Sequence, residues 1–133
     1  MSEEVKTVAA RRAQSQADKM RNLLLGKKPR TKELVVTVEG QELTLKFQAL
    51  GAKAMDTLRA KHAPTAKQRA DGLGVNIDTF NPALVAATLI EPEFSKEEIA
   101  EIFDADNWSA GELGQIYVTA SEVCLEGMDL PSK

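Results

Sequence analysis

The stretch ELVVTVEGQELTLKFQ, residues 33–48, decides the fold. Leu34, Val36 and Val38 alternate against Val35 and Thr37, and Leu43, Leu45 and Phe47 alternate against Thr44, Lys46 and Gln48. Period two sends successive side chains to opposite faces of an extended chain, so the stretch predicts two strands. Glu39-Gly40 stands between them as the turn of an antiparallel hairpin. Glutamate is a poor occupant of left-handed backbone, so Gly40 is expected to take the positive φ and the loop to depart from the tightest hairpin type. A two-stranded sheet is marginal alone and must lean on helices.

Those helices follow in the sequence. Residues 50–62 place Leu50, Ala54, Met55 and Leu58 on one face, with Pro64 as the stop. Residues 63–79 hold Pro64, Gly72, Gly74, Asn76 and Asp78 and predict a long surface loop with room for one short helical turn. Asn81-Pro82 predicts a helix start, and Ala83 to Ile90 a short helix, apolar all round and therefore central. Ser95 with Glu98, and Ser109 with Glu112, match the capping box in which side chain and backbone satisfy each other's unpaired donors. The first of these helices is expected to bury Ile99, Ile102 and Phe103. The second is expected to bury Leu113, Ile116, Tyr117, Ala120, Val123 and Cys124 before Gly127 ends it. The expected fold class is α+β and mostly helical, with a hairpin and a four-helix body.

Upstream of the hairpin, residues 3–25 are rich in good helix formers and carry a narrow apolar stripe: Val5, Val8, Ala9, Ala13, Ala17, Met20 and Leu24. Gly26 stops this helix, and a basic linker, 27–32, joins it to the first strand. So weakly apolar a helix gains little from burial and is expected to stay mobile until something binds it. Charge divides at the same place. Residues 1–32 carry nine Lys/Arg and three acids, whereas 33–133 carry eight and seventeen, so a basic helical arm precedes an acidic hairpin-plus-helix domain.

Length and composition bound the rest. The 133 residues suit one domain, and 43% hydrophobic with 28% charged residues is an ordinary globular composition. The longest apolar run, Ala83 to Ile90, is far short of a membrane span, and the N-terminal stretch lacks the apolar core of a secretory signal, so a cytoplasmic protein is expected.

Little in the chain suits covalent chemistry. One histidine, His62, falls at a helix C-terminus, where donation to free carbonyls accounts for it. The lone Cys124 lies on a buried helix face and reads as packing. Two Cys/His residues are too few for a structural zinc site, so neither metal nor cofactor is expected. Asp104-x-Asp106-x-Trp108 begins like a calcium loop but lacks the later glycine and bidentate glutamate. Gly72-Leu73-Gly74 lacks the third glycine of a dinucleotide fingerprint. Partner binding has better candidates. Arg11, Arg12, Lys19 and Arg21 on the arm suit an acidic partner, the chain's own acidic surface, plain solvation, or phosphates, although no aromatics interleave them and the body is acidic. Trp108, directly before the capping Ser109, reads either as a staple onto the next helix or as an exposed interface anchor.

The order of these features resembles a known family. A hairpin ending LTLKFQAL (43–50), a helix ending KHAPT (61–65) and the run DTFNPALVAATLIEPEFSKEEIAEIFDADNWSAGELGQIYVTASEV (78–123) are similar to the tail assembly chaperones of long-tailed bacteriophages, those of actinobacterial hosts above all. The telling pieces are F-x-P-A-L-V-A-A, the E-P exit, S-K-E-E-I-A-E-I and W-S-A-G-E-L, and the similarity covers about 33–127. The resemblance implies a non-enzymatic protein, the shorter product of a gene that yields a longer one by programmed frameshifting. Both would coat the tape measure protein, self-associate, deliver their client to the tail tube protein, act in the host cytoplasm and be absent from the finished particle. The alternative is a small head-tail or tail structural component, or a nucleic-acid-binding protein that uses the basic arm.

Overall fold

The computed structural model describes residues 3–128, with side chains from residue 7 onward. Strands β1 (Thr31–Val38) and β2 (Gln41–Gln48) pair antiparallel without interruption from Thr31↔Gln48 to Val38↔Gln41. One face of the hairpin carries Leu34, Val36 and Val38 opposite Leu45, Leu43 and Gln41, the alternation the sequence predicts. Gly40 takes the positive φ as expected, but the type of turn differs from expectation. It is the tightest two-residue loop, with Glu39 at φ 49° and Gly40 at φ 79°. The full register leaves only two residues to reverse the chain, and a turn with both central residues left-handed matches the twist of the strands. That ladder outweighs the roughly 1–2 kcal/mol that a left-handed non-glycine residue costs. Glu39→Asn should therefore raise stability by about 0.5–1 kcal/mol. It would show as a higher urea midpoint at unchanged slope.

A third strand, β3 (Leu89–Glu91), extends the sheet to the order β1-β2-β3. It pairs antiparallel through Phe47↔Leu89 and Lys46↔Glu91, with Ile90 as the extra residue of a bulge. The sequence pattern predicts Leu89 and Ile90 as the end of a helix. The helix before them, α4 (Ile77–Thr88), ends two residues before the apolar run does because Leu89 turns extended to complete the open edge of β2. Thr88, fully buried, satisfies its hydroxyl on Leu84 O at 2.8 Å.

The start of α4 also moves. Asn76, not Asn81, is the cap, and its Oδ1 accepts from Asp78 N–H. Pro82 falls inside the helix, so Asn81 is not needed as a cap, and its Oδ1 is buried without a hydrogen-bond partner. The earlier start brings Phe80 onto the buried face with Leu84, Val85 and Thr88, a gain of apolar burial that a start at Pro82 forgoes.

Helix α2 (Ala52–Lys61) precedes the predicted loop, which contains α3 (Ala66–Ala70), a single turn with a Thr65–Gln68 capping box. Both predicted capping boxes are present, Ser95–Glu98 on α5 (Lys96–Asp104) and Ser109–Glu112 on α6 (Ala110–Leu125). Helix α6 ends at Leu125, short of Gly127, and Glu126 leaves it extended where its carboxylate meets Arg30 and Lys32. Helix α4 packs against both α5 and α6, and α6 lies against the sheet. Phe47, Leu84, Val85 and Val123 are the largest apolar side chains sealed inside. Of the predicted core residues, Ile99, Ile116, Ala120 and Val123 are buried, whereas Ile102, Phe103, Leu113, Tyr117 and Cys124 are half-buried. The fold is α+β and mostly helical.

The arm is a single helix, α1 (Glu3–Leu25), ended by Gly26, whose N–H meets Asn22 O at 2.9 Å. Every residue from 7 to 25 is exposed, so the stripe of Val8, Ala9, Ala13, Ala17, Met20 and Leu24 covers nothing in this chain. Val5, also in the stripe, lies outside the described side chains.

Candidate partner-binding cleft

The hairpin outreaches the helices that cover it. Near Thr31 its inner face meets α6, but toward the turn Val36, Val38, Leu43 and Leu45 face an open cleft of about 450 Å³. Its other walls are Ile99, Ile102 and Phe103 of α5, Ile116 of α6, and Val85 and Leu89 at the end of α4. The segment between β3 and α5 adds Pro92 and Phe94, and Trp108 closes the side before α6. Among the lining residues Thr44 supplies the one hydroxyl. Such a site offers no charge and no array of donors, so what it can bind is apolar and what it contributes is desolvation.

The local sequence explains the opening. Eight-residue strands rise about 3.3 Å per residue, and the distal repeats Val36, Val38 and Leu43 extend the apolar face past the helices. The Glu91–Pro92 peptide is cis, and the chain runs from there through Phe94 to the Ser95 cap along the cleft wall. Leu43 remains 42% exposed although it faces inward, opposite Val36. Ile102 and Trp108 also line a shallower neighbouring depression together with Glu98 and Glu101, which sets acids beside the apolar mouth.

Of the residues singled out in the sequence, Trp108 lines this cleft and is half-buried. It packs against the core and also lines the opening. Arg11, Arg12, Lys19 and Arg21 lie on the exposed α1, so the structure does not gather them with Trp108. In the sequence the alternation of Val36, Val38 and Leu43 marks strands, and nothing in it marks these residues as lining an opening.

His62 and Cys124 serve as structural clasps. His62 caps α2, its carbonyl accepts from Asn76 N–H at 2.8 Å, and Nδ1 lies 2.9 Å from Thr79 Oγ1. Its ring stands edge-on to Phe80, 6.2 Å between centroids, which ties the α3 loop to α4. Cys124 Sγ accepts the Leu50 N–H at 3.4 Å. Among the described residues no group of three or more His, Cys, Asp or Glu is placed to hold a metal ion, and no helix is long and apolar enough to cross a membrane.

A further clasp lies at the end of the sheet opposite the turn. Lys32 Nζ meets Glu122 at 2.7 Å and Glu126 at 2.6 Å, and Arg30 meets Glu126 at 3.4 Å, so the end of the basic linker engages the acidic surface of α6. The hydrogen bonds to Glu122 and then Glu126 hold the Lys32 ammonium above its ordinary value, and the bond from Lys32 holds Glu126 below its own. A raised lysine stabilises the fold below its unfolded value of 10.5 and loses that contribution as pH climbs through the folded value. A lowered carboxylate contributes above 4.5 and loses it as pH falls through the folded value. The stability difference between the parent and Lys32→Met should thus be flat between those limits and shrink outside them. Thermal melts across pH would check this, and added salt should reduce the difference because the pair is partly exposed.

A comparison with protein-family models, with curated proteins and with solved structures finds no match to this chain.

Proposed function

We propose that this protein is a tail assembly chaperone of a long-tailed bacteriophage, which holds the tape measure protein during tail assembly and works without catalysis. The open apolar cleft carries the reading. A long helical client exposes an apolar stripe at spacings of three and four residues, and an apolar groove beside an amphipathic body covers such a stripe. Each copy would contribute modest affinity, and many copies along one client would act by multivalency. The order of motifs from the hairpin to α6 supports the same reading. The engagement of His62 with Thr79 and of Cys124 with Leu50 gives the two most reactive side chains structural work instead. The protein would act in the host cytoplasm, alone or with a frameshifted longer product, and pass its client to the tail tube protein.

Co-expression with the long helical tail protein encoded downstream is the test. The client should become soluble and co-purify with this chain, and a slippery heptamer with an overlapping −1 frame should lie near the end of the gene. A client that stays insoluble, together with salt-sensitive binding of the pure protein to DNA, would instead favour the nucleic-acid reading.

A further inference from the structure

We infer that the cleft of one copy takes the α1 helix of a second copy, so that the protein pairs by exchanging its arms. The arm of the second copy and an apolar client would occupy the same cleft, so a client that docks there displaces the arm.

The chain presents two uncovered apolar surfaces. On α1, Met20 and Leu24 are 63% and 69% exposed, with Ala13 and Ala17 on the same face by their spacing. The cleft is the other. Their charges match as well. By helical geometry Arg21 stands next to the α1 stripe, and Arg12 and Lys19 lie farther round the same helix. Residues 91–106, which supply most of the cleft's outer wall, hold seven acids and one lysine. Glu98 and Glu101 stand beside Ile102 and Trp108 at the mouth. An apolar stripe on a net basic helix thus matches an apolar groove with an acidic border, a complementarity that speeds encounter.

Exposed area points the same way. The chain exposes 10257 Å². A compact monomer of 14.5 kDa exposes about 6,900 Å². The excess comes largely from α1 standing clear of the body, and it surpasses the roughly 800 Å² per partner that a stable interface buries. Reciprocal exchange uses the same two patches on both copies and closes as a two-fold dimer.

A second copy fits better than the arm's own cleft because the base of the arm is held at the wrong end. Ala49 N–H bonds to Arg30 O at 2.8 Å, and residues 27–30 lie around a depression shared with Leu50 and Cys124. That anchors α1 beside Thr31, whereas the cleft begins at Val36 and runs toward the turn.

Sedimentation velocity of the full chain across about 1–100 μM, with Trp108 emission read in parallel, tests the proposal. The expected result is a concentration-dependent dimer whose tryptophan emission shifts to the blue as it forms, weakened by salt. The double variant Met20→Glu/Leu24→Glu lies on the exposed arm and leaves the body intact. It should raise the dimer dissociation constant at least about tenfold and return the emission to that of the monomer. Three results would overturn the inference: a chain that is monomeric throughout, a dimer that the double variant leaves unchanged, or a monomer whose Trp108 is covered at every concentration until the variant uncovers it, which would place the arm in its own cleft.

Discussion

Phe47→Ala is expected to lower the stability of this protein by about 3–5 kcal/mol, a large share of the 5–15 kcal/mol typical of a domain. Phe47 is wholly inaccessible and sits in the central strand, opposite Lys32 on β1 and Leu89 on β3. It therefore joins the sheet to the helical layer, and the fixed backbone on either side leaves little scope for collapse into the space vacated. Urea denaturation measures the effect. Val35→Ala, on the outer face of β1 and 58% exposed, is the control and should change stability by no more than about 0.5 kcal/mol. A Phe47→Ala loss as small as that of the control would mean that the sheet is not anchored as described.

Leu43→Asp separates client holding from folding. The side chain lines the cleft yet is 42% exposed, so a carboxylate there keeps much of its hydration and the fold survives. An apolar client stripe docked on it would desolvate that carboxylate without a partner, and affinity should fall at least about tenfold, or about 1.4 kcal/mol. The measurement is capture of the co-expressed client by the variant, beside a thermal melt showing a midpoint near the parent's. Trp108→Ala should weaken capture further, by about 2 kcal/mol or more, since large aromatics at the edge of an apolar groove dominate such contacts. That variant also alters the approach to the Ser109 cap, so Leu43→Asp is the cleaner probe. Unchanged capture by both variants would place the client elsewhere.

Much of the fold was legible because its signals are local. Alternation over residues 34–38 and 43–47 specifies strands irrespective of what they pack on. The Ser95–Glu98 and Ser109–Glu112 boxes close within four residues, so their geometry follows from spacing alone. The misreadings lie where a distant element decides. Leu89–Glu91 is extended because the edge of β2, more than forty residues away in sequence, has unpaired groups to satisfy. Glu39 adopts a left-handed turn because the full hairpin register outweighs a single residue's preference. Asn81-Pro82 carries a helix-start signal, but burial of Phe80 extends the helix back to Ile77.

The sequence alone determined the split between a basic arm and an acidic body, the hairpin, the capped helices and the apolar stripes, since each depends on residues close together along the chain. The tertiary structure decided the third strand, the Lys32 clasp on α6 and the cleft. A cleft is a mismatch between the reach of one layer and the cover of another, here between the distal hairpin and α5 and α6. Such a mismatch exists only once separate segments are packed together, because an apolar residue reads the same in sequence whether its face is sealed or left open.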